Sequence, residues 1–244
     1  EVVELDPPLM GKVLKVANSA YYSPVNEIGE LKHAVVWIGL DTLKELALSQ
    51  KVSDIFRGNG CINGYSREAL WKHCVVVAKL CKTIYRKEFG EKGSDAYVAG
   101  LLHDIGIIVE DHFLPDEFKT VLKSIRSEKD DLQQQEKKIL GFNHARLGKV
   151  LTDNWGLPQE LSGAIGYHHN PLVGDASIVR MATTISVSER LSKKCHIDYS
   201  DAITKEDRRY KDCLEELNIQ PSALDLIVED VNEELAEMKK QGLF

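Results

Sequence analysis

Apolar residues recur at intervals of three and four almost from end to end of this chain, and that spacing calls for helices. Leu70, His73, Val77, Leu80 and Ile84 share one stripe, as do Leu9, Val13, Val16 and Ala17. With 3.6 residues per turn such positions meet on one helix face. No segment alternates apolar and polar residues for long enough to argue for a sheet. The reading is an all-α fold, a multi-helix bundle.

Breakers and caps divide the pattern. Asp6 before Pro7 is an N-cap followed by a first-turn proline. Tyr21 to Gly29 reads as a loop. A second helix stops at Gly39, and Asp41 can start a third. Gly58, Gly60 and Gly64 suggest a boundary, so residues 1–60 are expected to form a small N-terminal helical subdomain and residues 61–244 a larger helical one. Within the latter, Ser66 opens a long helix, Gly90 and Gly93 interrupt it, and a further helix leads to His103. Helices are then predicted near 115–127, 130–140, 144–155, 158–168 and 176–194, with two charged amphipathic helices between 201 and 241.

Charge and cysteine usage exclude several function classes. The net charge is −7 over 244 residues, and the bases are scattered among acids: Lys82, Arg86 and Lys87 run into Glu88 and Glu91. A duplex-binding protein carries a concentrated basic footprint, so nucleic acid is not an expected partner. No apolar run approaches the ~18 residues of a membrane span. Five cysteines, none in a CxxC pair, argue against a zinc knuckle, and an odd number without secretory features points to a reducing, cytoplasmic setting. Cys74 and Cys81 are expected to be buried thiols. The chain opens Glu1-Val2-Val3 without methionine or targeting motif, which suggests a cut with a segment upstream.

The histidines carry the chemistry. Five of eight fall in four places: His73, His103-Asp104, His144 and His168-His169. Leu101-Leu102-His103-Asp104-Ile105-Gly106 sets an imidazole and an acid into an apolar helical surface, where unpaired burial is costly. A divalent metal or a tight hydrogen-bond network would satisfy them. Imidazole nitrogen with carboxylate oxygen suits iron, manganese or zinc, and converging helices could hold one or two such ions. The blander readings are a core histidine for His33 and His112, an exposed one for His196, core anchors for Trp37, Trp71 and Trp155, and a solvated face for the Gln133–Gln135 run and the acidic tail.

Taken in order, these segments resemble the HDOD domains, bacterial signalling output modules related to the HD phosphohydrolases. The resemblance runs through Asp6-Pro7-Pro8-Leu9, Ala17-Asn18-Ser19-Ala20, Ala34-Val35-Val36-Trp37-Ile38-Gly39, Gly100 to Gly106, His144-Ala145-Arg146-Leu147-Gly148, Trp155-Gly156-Leu157-Pro158 and His168-His169. It implies an HD-type bundle and, beside the HD-GYP phosphodiesterases, a metal set of His73, His103, Asp104, His144, His168 and His169. Glu189, in Val187-Ser188-Glu189-Arg190-Leu191, stands where those enzymes carry a late aspartate. Asp104 would be the bridging, catalytic ligand if the site were active. Two departures bear on activity: Ile107 stands in place of a lysine thought to help with the phosphate, and Asn170-Pro171 replaces the Gly-Tyr-Pro element. The resemblance thus implies a signalling output or interaction domain with a metal site that is not an efficient hydrolase, and with other signalling proteins as partners. The alternatives are a metal-dependent phosphohydrolase acting on a nucleotide or cyclic dinucleotide, and a metal-free scaffold. Asn18-Ser19 is expected to be structural.

Overall fold

The computed structural model of the chain describes residues 7–56, 64–125, 131–195, 208–240 and 242. Asp6, Gly58, Gly60, Cys61 and His196 lie outside the described residues. The elements are α1 (Pro7–Ala17), α2 (Leu31–Ile55), α3 (Arg67–Glu88), α4 (Ser94–Leu102), α5 (Ile105–Phe113), α6 (Pro115–Ser124), α7 (Leu132–Ile139), α8 (His144–Asn154), α9 (Gln159–Tyr167), α10 (Ala176–Ser192), α11 (Arg208–Leu217) and α12 (Pro221–Lys240). Among the described residues there is no strand, and no helix is long and apolar enough to cross a membrane.

Two compact units divide the chain: residues 1–55 with 229–244, and residues 56–228. The end of α12 therefore groups with the first unit, whereas the sequence reading assigned the whole tail to the second.

In the first unit Leu9, Val13 and Ala17 of α1 pack on Ala34 and Ile38 of α2. Gly39 breaks α2 with φ 84° and ψ 160°, a conformation open to glycine, and the helix restarts beyond it. Asn18 clasps the loop after α1. Its Nδ2 donates to the carbonyls of Leu14 (3.0 Å) and Ile28 (2.9 Å), and its Oδ1 accepts from the Ile28 N–H (2.7 Å).

The second unit is built around α3, where Cys74, Val76, Val77, Leu80 and Cys81 are fully buried. Gly100 lets α4 approach closely, since a β-carbon there would lie 2.8 Å from the α-carbon of Ala78. Cys81 Sγ donates to Ser188 Oγ on α10 at 3.3 Å. Ser66 caps α3 by accepting from the Ala69 N–H, and Asn143 caps α8 by accepting from the Arg146 N–H.

Several bland assignments need correction. Trp37 and Trp155 are each 49% exposed rather than core anchors. Small Ala34 and Ile38 fill the contact with α1, leaving Trp37 beside it with its indole N–H on the Tyr22 carbonyl at 3.2 Å. Trp155 instead closes the end of α8, its backbone N–H on the Leu151 carbonyl. Trp71 is half-buried against Phe56, ring centroids 5.5 Å apart. His33 is no core residue, its side chain being 75% exposed beside Glu30, and His112 is exposed as well.

Candidate metal centre

Both histidine doublets stand at helix ends. His103 follows α4 as its C-cap, and Asp104 (φ −102°, ψ 15°) turns the chain into α5. His168 is the C-cap of α9, with His169 next. The last carbonyls of a helix lack internal partners. Here the imidazoles supply them: His103 Nδ1 donates to the Gly100 carbonyl (2.8 Å) and His168 Nδ1 to the Ile165 carbonyl (2.6 Å). A carbonyl only accepts, so each Nδ1 carries a proton, and on neutral His168 the Nε2 lone pair is left to face inward. The chain's break after each doublet, rather than the turn of a single helix, brings neighbouring side chains into one space.

Around these ends converge His73 from α3, His144 from the start of α8 and Glu189 from α10. One ligand atom from each of Asp104, His144, His168 and His169 lies within 4.8 Å of the others, and the same holds for His103, Asp104, His168 and Glu189. Asp104 and His168 belong to both groups. Asp104 Oδ1 is 3.4 Å from His144 Nε2 and 3.8 Å from His168 Nε2, while its Oδ2 is 3.1 Å from His103 Nε2. His73 lies outside both groups, its Nε2 3.8 Å from Asp104 Oδ2 and its Nδ1 3.4 Å from Ser192 Oγ.

Three imidazoles are held neutral. Burial, reinforced by the charge on His103, lowers His73 to about 4 and His168 to about 3. Burial and then the neighbouring His168 and His144 take His169 well below its usual range. Burial also opposes charge on His103, His144 and Asp104, but their mutual attraction wins. Asp104 raises His103, Glu136 raises His144 to about 10, and His103 with His144 lowers Asp104. Burial lifts Glu189 to about 7.

The residues fit a metal. His168 Nε2 is buried with no hydrogen-bond partner, and an orphaned buried acceptor is costly. His144 Nε2 and His169 Nε2 approach to 2.7 Å. That distance needs a shared proton, which charged His144 supplies, or a cation in its place. With His103 and His144 each giving up a proton to the incoming ion, the imidazoles and one or two carboxylates are donors suited to zinc, iron or manganese. Such an ion would polarise a bound group as a Lewis acid.

Two acids of this neighbourhood escaped the sequence reading. Glu136 of α7 and Glu110 of α5 are fully buried. The available signal was periodic: Leu132, Glu136 and Leu140 share one helical stripe, so a glutamate stands on an apolar face.

The HDOD domain family profile matches residues 1–171. The chain belongs to the HDOD family. An HDOD domain protein of unknown function from Geobacter sulfurreducens has the same fold, with TM-score 0.79, 25% identity, and coverage of 100% of this chain and 84% of that one. A Marinobacter aquaeolei protein assigned to signal transduction matches with TM-score 0.77 and 23% identity, over 99% of this chain and 53% of its own. An uncharacterized Treponema pallidum (strain Nichols) protein is 26% identical over 172 residues, 69% of this chain. The match spans about a third of that relative's length, 32%. This HDOD chain is thus an HD-like helical protein with a buried histidine–carboxylate cluster whose ligand atoms lie close enough together to hold a metal ion.

Proposed function

We propose that this HDOD chain is a cytoplasmic bacterial signal-transduction output domain whose centre holds one or two divalent ions of iron, manganese or zinc in a structural or sensory role. In this reading it works through other signalling proteins and is not an efficient hydrolase. The observation that carries the reading is the company Asp104 and Glu189 keep. Every ion-pair partner of these two carboxylates among the described residues is a histidine. Among the described residues no lysine or arginine is ion-paired to either carboxylate. Ile107, in the position the sequence resemblance gives to a phosphate-handling lysine, is 1% exposed and packed in the core. Phosphoryl transfer relies on positioned positive charge, and the described side chains that carry it at this centre are the buried imidazoles of His103 and His144, whose charge metal ligation would remove.

A second reading keeps one specific support. Asp104 belongs to both ligand groups, and two ions sharing a carboxylate are the arrangement that stabilises phosphoryl displacement. A phosphate-containing small molecule, a nucleotide or cyclic dinucleotide, would then be the substrate and Asp104 the bridging ligand.

One assay separates the readings. Metal-loaded full chain is incubated with bis(p-nitrophenyl) phosphate and with cyclic dinucleotides, beside an Asp104→Ala control. The signalling reading expects no turnover above that control. Metal-dependent hydrolysis abolished by Asp104→Ala overturns it in favour of the hydrolase.

A further inference from the structure

Glu136 belongs to neither ligand group, yet it bonds one ligand twice. Its Oε2 accepts from the backbone N–H of His144 at 3.0 Å, and both carboxylate oxygens lie 2.8 Å from His144 Nδ1. The route from α7 into α8 makes this possible. Gly141 (φ 84°) reverses the chain, Asn143 caps α8, and Asn143 Nδ2 donates to Gln133 Oε1 of α7 at 3.1 Å.

One carboxylate on both the main-chain and ring N–H of a residue constrains the whole side chain. The ring plane is set, Nδ1 carries a proton, and Nε2 points at Asp104 and His169. A carboxylate behind a ligating imidazole also makes it a stronger donor than a carbonyl does. His103 and His168 have only carbonyls behind them. The two ligand groups therefore differ: His144, with its charged support, belongs to one alone.

We propose that Glu136 is the positioning residue for the ion position formed by Asp104, His144, His168 and His169, and has little effect on the one formed by His103, Asp104, His168 and Glu189. The proposal rests on the metal-binding reading of the centre.

Chelator-stripped full chain is titrated with cobalt(II), following the visible d–d bands and competition with a chromophoric chelator, for wild type, Glu136→Gln and Glu189→Gln. Glu136→Gln is expected to weaken one ion about 10–100-fold and change its bands, the usual scale for an outer-shell carboxylate. The remaining ion, where two bind, stays within about twofold, and Glu189→Gln acts on that other ion. The same affinity for every ion in wild type and Glu136→Gln overturns the proposal while leaving the metal reading intact, as does equal loss of both ions. Wild type that takes up no cobalt overturns both. Should Glu136→Gln not fold, nitrogen-15 imidazole spectra of stripped wild type decide. A His144 ring carrying its proton on Nδ1 supports the proposal, and one protonated on Nε2 alone contradicts it.

Discussion

Gly106 and His144 stand so close that a β-carbon on Gly106 would overlap the His144 carbonyl oxygen and lie 2.7 Å from the carbonyl carbon. That approach brings α5 against the start of α8 and sets Asp104 beside the His144 ring. The obstructing atoms are backbone, which cannot swing aside.

Gly106→Ala is therefore expected to cost about 2–3 kcal/mol, at the upper end of the range for overpacking. Gly11→Ala is the contrast: Gly11 lies within α1 and its β-carbon would meet nothing within 4 Å. It should gain about 0.5–1 kcal/mol from helix propensity. Urea unfolding of both variants checks the pair, and a Gly106→Ala protein as stable as wild type would refute the close approach.

Asp104 serves both ligand groups and Glu189 one. Asp104→Ala should remove all bound metal, whereas Glu189→Gln should leave one ion where wild type holds two. Metal-to-protein ratios after gel filtration read the difference. Equal loss in the two variants would contradict the shared role of Asp104.

Glu110 gives the stability a pH dependence. Neither of its buried oxygens has a hydrogen-bond partner, and burial followed by the neighbouring Glu136 lifts its pKa from 4.5 to about 9. Between those values the folded chain holds a proton that the unfolded chain releases. This contribution is full below pH 4.5 and is lost as pH rises toward about 9. Glu110→Gln cannot ionise, so its melting temperature should fall less steeply across that window than that of wild type. Parallel curves would remove Glu110 from the account.

The Asn18 clasp should hold the loop after α1. Asn18→Ala loses three hydrogen bonds and leaves the Ile28 N–H and carbonyl to find other partners, while the Leu14 carbonyl keeps the backbone N–H of residue 18. A cost of about 1–3 kcal/mol follows from the usual penalty for such groups. Amide exchange in residues 18–30 should quicken, and unchanged protection there would contradict the clasp.

Much of this was legible in the sequence because helices announce themselves by period and punctuation. Gly39 breaks α2 where its position suggested, and Ser66 caps the long helix it was expected to open. The order of His103-Asp104, His144 and His168-His169 marked residues that the fold brings together, while His73 stands beside them outside both ligand groups. What the sequence could not show is what decides the geometry. Both doublets sit at helix ends, where imidazoles meet orphaned carbonyls. Glu136 reaches His144 across a chain reversal, so local periodicity could mark it as odd but not name its partner. Exposure was misjudged for Trp37 and His33 because apolar character or ring type alone does not say which side of a helix faces a neighbour.

The central claim is that the cluster holds metal, and metal content tests it most directly. Tag-free full chain, purified without chelator or added metal, is analysed by inductively coupled plasma mass spectrometry beside a His103→Ala, Asp104→Ala double variant. The account predicts about one or two divalent transition-metal ions per chain, matching the ligand groups that share Asp104 and His168, and none in the double variant. No metal in the purified protein, and none taken up on titration, would contradict it.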